Sequence, residues 1–137
     1  MTATSGSAAR IALGLTVLVA LGVLAQAVLA GAFYDGAHHW AVDVHKALGP
    51  ALIAPALLAA VVCAAQLRSL PQGGRAFKFA AGSTVALIVE AGLGFGADRH
   101  SGLLLLHVPI ALGLFVLLAR QVTALALMTR PERASIS

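Results

Sequence analysis

The sequence predicts an all-α fold: an integral membrane bundle of four antiparallel helices. Three observations carry this. The 137-residue chain is 60% hydrophobic and 10% charged, with a mean hydropathy of +0.95, and a soluble domain of this size has too little interior to hide that much apolar surface. The apolar residues fall into four runs close to the ~20 residues a helix needs to cross the hydrocarbon core. The basic residues cluster in alternate connections between those runs.

The first run, residues 11–33, has 23 residues without a charge. It is longer than the apolar core of a secretory signal peptide and is read as a retained helix, with Ala30-Gly31-Ala32 as a weaker cleavage signal. The second run, 42–67, carries no charge after Lys46 and contains Pro50 and Pro55, which a packed bundle accommodates because neighbouring helices re-satisfy the freed carbonyls. The third, 79–96, is interrupted only by Glu90, and the fourth, 102–128, only by Arg120. Helices are expected at about 10–33, 42–67, 77–96 and 102–128 in one transmembrane domain spanning 1–137, with short flexible termini at 1–9 and 129–137. The connections 68–78 and 97–101 are short, which makes successive helices antiparallel neighbours. Cys63, the single cysteine, rules out an internal disulfide and reads as a small buried apolar side chain.

Arg10, Arg68, Arg75, Lys78, Arg120, Arg130 and Arg133 fall on one side, Lys46 and Arg99 on the other. The excess of Lys and Arg marks the cytoplasmic side, so both termini and the middle connection are expected there, in a plasma (inner) membrane. Asp35, Asp43 and Asp98 fall on the outer side with Tyr34 and Trp40, whose amphipathic rings suit the headgroup layer.

The chain also carries a weak two-fold repeat. Gln26-Ala-Val-Leu-Ala-Gly31 near the end of the first helix matches Glu90-Ala-Gly-Leu-Gly-Phe95 near the end of the third. A histidine follows each polar residue, His45 after 19 positions and His107 after 17. Both hairpins start on the same side, so the repeat is parallel, about an axis along the membrane normal.

All five histidines, His38, His39, His45, His100 and His107, lie in the outer half. His45 and His107 sit about one turn inside the second and fourth helices. Ionisable groups at that depth face the bundle interior and mark function, although a lone membrane histidine more often serves as interhelical glue. Two at matching depth can take the two axial positions of one haem iron. Gly49 and Ala111, one turn beyond them, with Gly31 and Gly94 on the other helices, leave room for a flat macrocycle. Lys46, Arg99, His38, His39 or His100 are the expected partners of its propionates; His38, His39 and His100 otherwise read as solvated.

Glu90, well inside the third helix, is costly unless neutral or paired. Its bland reading is a protonated side chain bonded to Gln26 or Ser83; its functional reading is a proton relay or quinone contact. Arg120 is expected to reach toward the cytoplasmic surface.

Gln26 followed by Ala30-Gly31, then Trp40 and His45-Lys46, resembles one four-helix half of haem A synthase, and Glu90-x3-Gly94 with Leu106-His107 repeats the theme. The resemblance covers about residues 11–128 and extends to an uncharacterised family of small four-helix membrane proteins with the same histidine layout. It implies a haem held between His45 and His107. The synthase's catalytic half has a glutamate three residues before its helix-two histidine and an arginine after it; Val42 and Lys46 stand there in this chain, so the resemblance implies haem binding without synthase chemistry.

The function expected from the sequence is that of a small cytochrome b-like protein with one haem b near the outer face, active in electron transfer or haem handling. It would be an electron carrier or oxidoreductase subunit, not an enzyme by itself, with quinone, a larger respiratory complex or a second copy of the chain as candidate partners. The alternatives are a structural or assembly subunit and a copper- or zinc-handling protein. The pI near 10.3 does not indicate nucleic-acid binding, because the basic residues are few and scattered.

Overall fold

The computed structural model describes residues 3–34, 36, 38–97 and 99–130; Asp35, Asp98 and Arg133 lie outside the described residues. All the regular elements among them are helical: α1 (Ala3–Tyr34), α2 (His39–Ala51), α3 (Ile53–Val62) continued by a π-helical turn (Cys63–Leu67), α4 (Gly73–Ala97), a 3₁₀ turn (Ser101–Leu103) and α5 (Leu104–Thr129). They make four stretches long and apolar enough to cross a membrane: Thr4–Ala32, His39–Leu67, Gly73–Ala97 and Ser101–Thr129.

Three helix starts differ from the sequence expectation, α2 beginning at His39 instead of about 42. α1 begins at Ala3, inside the segment expected to be a flexible terminus, because Ser5, Ala8 and Ala9 are buried and small enough to let the helix continue into the packed end of the bundle. α4 begins at Gly73, where the chain turns tightly: Leu70 N–H donates to the Leu67 carbonyl and Gly73 N–H to that of Leu70, each at 2.9 Å. Gln72 takes a left-handed φ of 66°, and a Cβ at Gly73 would overlap the Leu67 carbonyl oxygen.

The second stretch is two helices because of its prolines. Pro55 has no N–H for the Ala51 carbonyl, and Pro50 none for that of Lys46. The ladder slips at Leu52, whose N–H is shared between the carbonyls of Leu48 at 3.2 Å and Gly49 at 3.3 Å.

α1 packs against α2, α3 and α5, and α4 packs against the same three. Among the described residues the diagonal pairs, α1 with α4 and α2–α3 with α5, make no close backbone approach. The section is therefore a square in which the second and fourth stretches face each other across the centre. At one end Ala8, Ala9, Ala12, Ala60, Cys63, Leu67, Ala76, Ala80, Ala124, Leu125 and Met128 form a tight, alanine-rich cluster. It joins the starts of α1 and α4 to the ends of the second and fourth stretches, so neighbouring helices run antiparallel. Farther along, Val19, Leu52, Ala56, Leu87, Leu114 and Leu118 close a second layer, where Leu52 fills the space over Gly22.

A buried bond from Gln121 Nε2 to Thr16 Oγ1, 2.8 Å, ties α5 to α1, while the Thr16 hydroxyl donates to the Ala12 carbonyl at 2.7 Å. Thr16→Val keeps the shape but leaves the Gln121 amide without its acceptor. It is expected to lower stability by about 0.6–1.5 kcal/mol, read as a lower melting temperature of the detergent-solubilised protein.

Beyond the second layer the packing opens. Past Val19 in α1, before Leu52 in α2, past Leu87 in α4 and before Leu114 in α5, only Ala41 and Glu90 are buried among the described residues. This loosely packed end holds the histidines.

Candidate functional site

His45 and His107 occupy the same register of two equally long stretches. Each stretch has 29 residues, His39–Leu67 and Ser101–Thr129, and each histidine stands six residues after its first. Because α2 and α5 are diagonal, equal depth brings the rings together at the centre: their centroids are 6.4 Å apart with planes at 67°. Two imidazoles bound from opposite sides to one metal have centroids separated by roughly 6 Å, allowing about 2 Å for each nitrogen–metal bond and about 1 Å from nitrogen to ring centre.

Each ring is held by the polar residue of the preceding helix in its own hairpin. His45 Nδ1 lies 3.2 Å from the Gln26 main-chain carbonyl. A carbonyl only accepts, so Nδ1 carries the hydrogen and Nε2 keeps its lone pair. The Gln26 side chain returns a bond, Nε2 to the His45 carbonyl at 3.0 Å, running so close to Gly49 that a Cβ there would stand 2.9 Å from the amide nitrogen. In the other hairpin His107 Nδ1 lies 2.5 Å from Glu90 Oε2. The same ring nitrogen thus faces the preceding helix in both hairpins, a carbonyl in one and a carboxyl group in the other. Gly94, one turn after Glu90, abuts the His107 ring, its missing Cβ 3.5 Å from Cε1.

The His107–Glu90 approach is close without being aligned. His107 Nδ1, both carboxyl oxygens of Glu90 and Gln26 Oε1 are buried with no hydrogen-bond partner. The Glu90 side chain is only 7% exposed, against 22% for His107. Four polar atoms short of bonding around a loosely packed centre make a site able to accept a ligand.

The expected bonds from Glu90 to Gln26 or Ser83 do not form. Gln26 turns to His45, Ser83 Oγ donates to the Phe79 carbonyl at 2.8 Å, and α1 is diagonal to α4, so Glu90 meets His107 instead. Gly31 is also outside the site: it is exposed, with nothing near its missing Cβ. Five residues at about 100° each turn it roughly 140° away from Gln26 on α1. The counterpart of Gly94, four residues after Glu90, is Ala30, four after Gln26, a correspondence already legible in the spacing. Ala111 stays half-buried one turn past His107, Lys46 is exposed beside His45, and Arg99 is exposed in the turn before α5. His38, His39 and His100 are exposed as well, with His38 stacked edge-on against Trp40 at 6.3 Å.

Sequence reasoning missed the main-chain carbonyl of Gln26 as the partner of His45, because no residue type marks a carbonyl. Comparison of the chain with protein families, curated proteins and solved structures finds no match.

Proposed function

We propose that this chain is a small cytochrome b-like protein of the inner membrane that binds one haem b between His45 and His107 and serves electron transfer or haem handling. One observation carries the reading: the two imidazoles meet from diagonally opposite helices at a separation suited to a shared metal, with the Gln26 carbonyl against Nδ1 of His45 and the Glu90 carboxyl group beside Nδ1 of His107. Restraint of that nitrogen is what outer partners of metal-bound histidines do; it sets the tautomer and aims Nε2.

The surrounding residues fit a flat, mostly apolar ligand with two acidic arms. Gly49, Gly94 and Ala111 keep the centre narrow-sided, and Lys46 and Arg99 stand exposed at the same end as propionate partners. Bound there, haem supplies a one-electron Fe(III)/Fe(II) couple whose potential follows its axial ligands and their hydrogen bonds. Gln26 and Glu90 stand against the two rings. The excess of Lys and Arg on the opposite side orients the bundle with both termini in the cytoplasm and the histidines toward the outer face.

The test is the absorption spectrum of protein purified in detergent from haem-replete cells, oxidised and then dithionite-reduced. A Soret band with sharpened visible bands on reduction is expected. A colourless preparation would mean that the histidines only join helices, and copper or zinc in place of iron would mean a metal-handling site.

A further inference from the structure

The opposite end of the bundle contains a second candidate site. A half-open cleft of about 340 Å³ lies between the start of α4 and the end of α5, lined by Gln72, Arg75, Phe79, Arg120 and Thr123. Both arginines are exposed into it, and neither has a carboxylate or ring partner among the described residues, whereas the nearby Arg68 guanidinium lies 5.3 Å over the Phe77 ring. Arg120 is nine residues short of the end of α5 at Thr129, about 13 Å along the helix axis. A guanidinium at that depth is costly without an anion.

The chain has little to offer it. Of its five carboxylates, Asp35, Asp43, Glu90 and Asp98 belong to the histidine half of the sequence, and Glu132 lies outside the described residues. Among the described residues no carboxylate reaches the cleft, and at the end of a membrane bundle the abundant anion is a lipid phosphate. Basic pockets between transmembrane helices on the cytoplasmic side bind such headgroups, and a planar guanidinium pairs with phosphate through two parallel bonds. Gln72 adds a neutral donor, while Phe79 and Leu127 line the cleft with apolar surface for the glycerol and first acyl carbons.

We propose that the cleft bounded by Arg75 and Arg120 is a binding site for the phosphate headgroup of an anionic phospholipid. The experiment is native mass spectrometry of the full chain in detergent, titrated with phosphatidylglycerol or with phosphatidylcholine. The wild type is expected to retain phosphatidylglycerol preferentially, with retention falling roughly fivefold for each arginine lost in Arg75→Gln and Arg120→Gln. Thr123→Trp, which fills the cleft without changing charge, is expected to abolish the preference while helicity by circular dichroism is unchanged. Equal retention of the two lipids, or a preference that survives the double arginine variant, overturns the proposal. Displacement of bound lipid by excess inorganic phosphate also overturns it, because the site would then hold a small free anion.

Discussion

His45→Ala and His107→Ala are each expected to abolish most of the Soret absorbance of the purified protein, and the double variant to be colourless. Each substitution removes one of the two imidazoles whose ring centroids lie 6.4 Å apart between the diagonal helices, and no other histidine is placed to replace it, since His38, His39 and His100 are exposed at the rim. His45→Met is the informative companion. It keeps a ligand of similar reach, so haem should be retained with a raised potential, as methionine–histidine ligation does in other cytochromes. Both alanine variants should stay helical, because His45 and His107 are only partly buried and neither belongs to the two packed layers. A double alanine variant with wild-type haem content would show that the two imidazoles are not the ligands.

Glu90→Ala is expected to weaken haem binding by about 10- to 100-fold, the usual effect of removing the partner that orients a metal-bound histidine. Glu90 lies beside His107 and is one of two buried among the described residues of the open half of the bundle. Its truncation removes the carboxyl group from beside the ring nitrogen and leaves a gap there, while the Glu90 main chain, which also engages His107, remains. Glu90→Gln keeps volume and hydrogen-bonding capacity and should recover much of the affinity. Gln26→Ala should do far less, although Gln26 is the repeat counterpart, because His45 Nδ1 is held by the Gln26 main-chain carbonyl, which alanine retains. Haem titration of the apoproteins measures all three. An equal loss in Gln26→Ala and Glu90→Ala would contradict the asymmetry that the two contacts impose.

The four helices were readable because lipid acts on composition directly. A run such as residues 11–33 declares a helix long and apolar enough to cross a membrane whatever it packs against, since an unbonded backbone cannot lie in hydrocarbon. Helix ends were less readable. Ser5, Ala8 and Ala9 look like a flexible tail until the ends of the second and fourth stretches are seen to enclose them, and the break at Leu52 depends on how the carbonyls freed by Pro50 and Pro55 are shared. Of the site, His45 and His107 stood out as ionisable groups at matching depth. Gly31 did not survive as a member because small size in sequence carries no information about which face of α1 a residue occupies.

By itself, then, the order of residues determined how many helices there are, about which segments they use, the repeat of polar residue and histidine, and the two histidines at matching depth. It could do so because these are matters of local composition and of spacing along a single helix. Only the tertiary structure decided that the second and fourth stretches are diagonal, that each histidine is restrained by its own hairpin, and that Glu90 meets His107 instead of Gln26. Rotation about the helix axes and the choice of neighbours set those contacts. Both follow from how alanine-rich faces such as Ala8–Ala12 and Ala76–Ala80 pack against the second and fourth stretches that lie between them, and the packing of four surfaces at once is not written in any one of them.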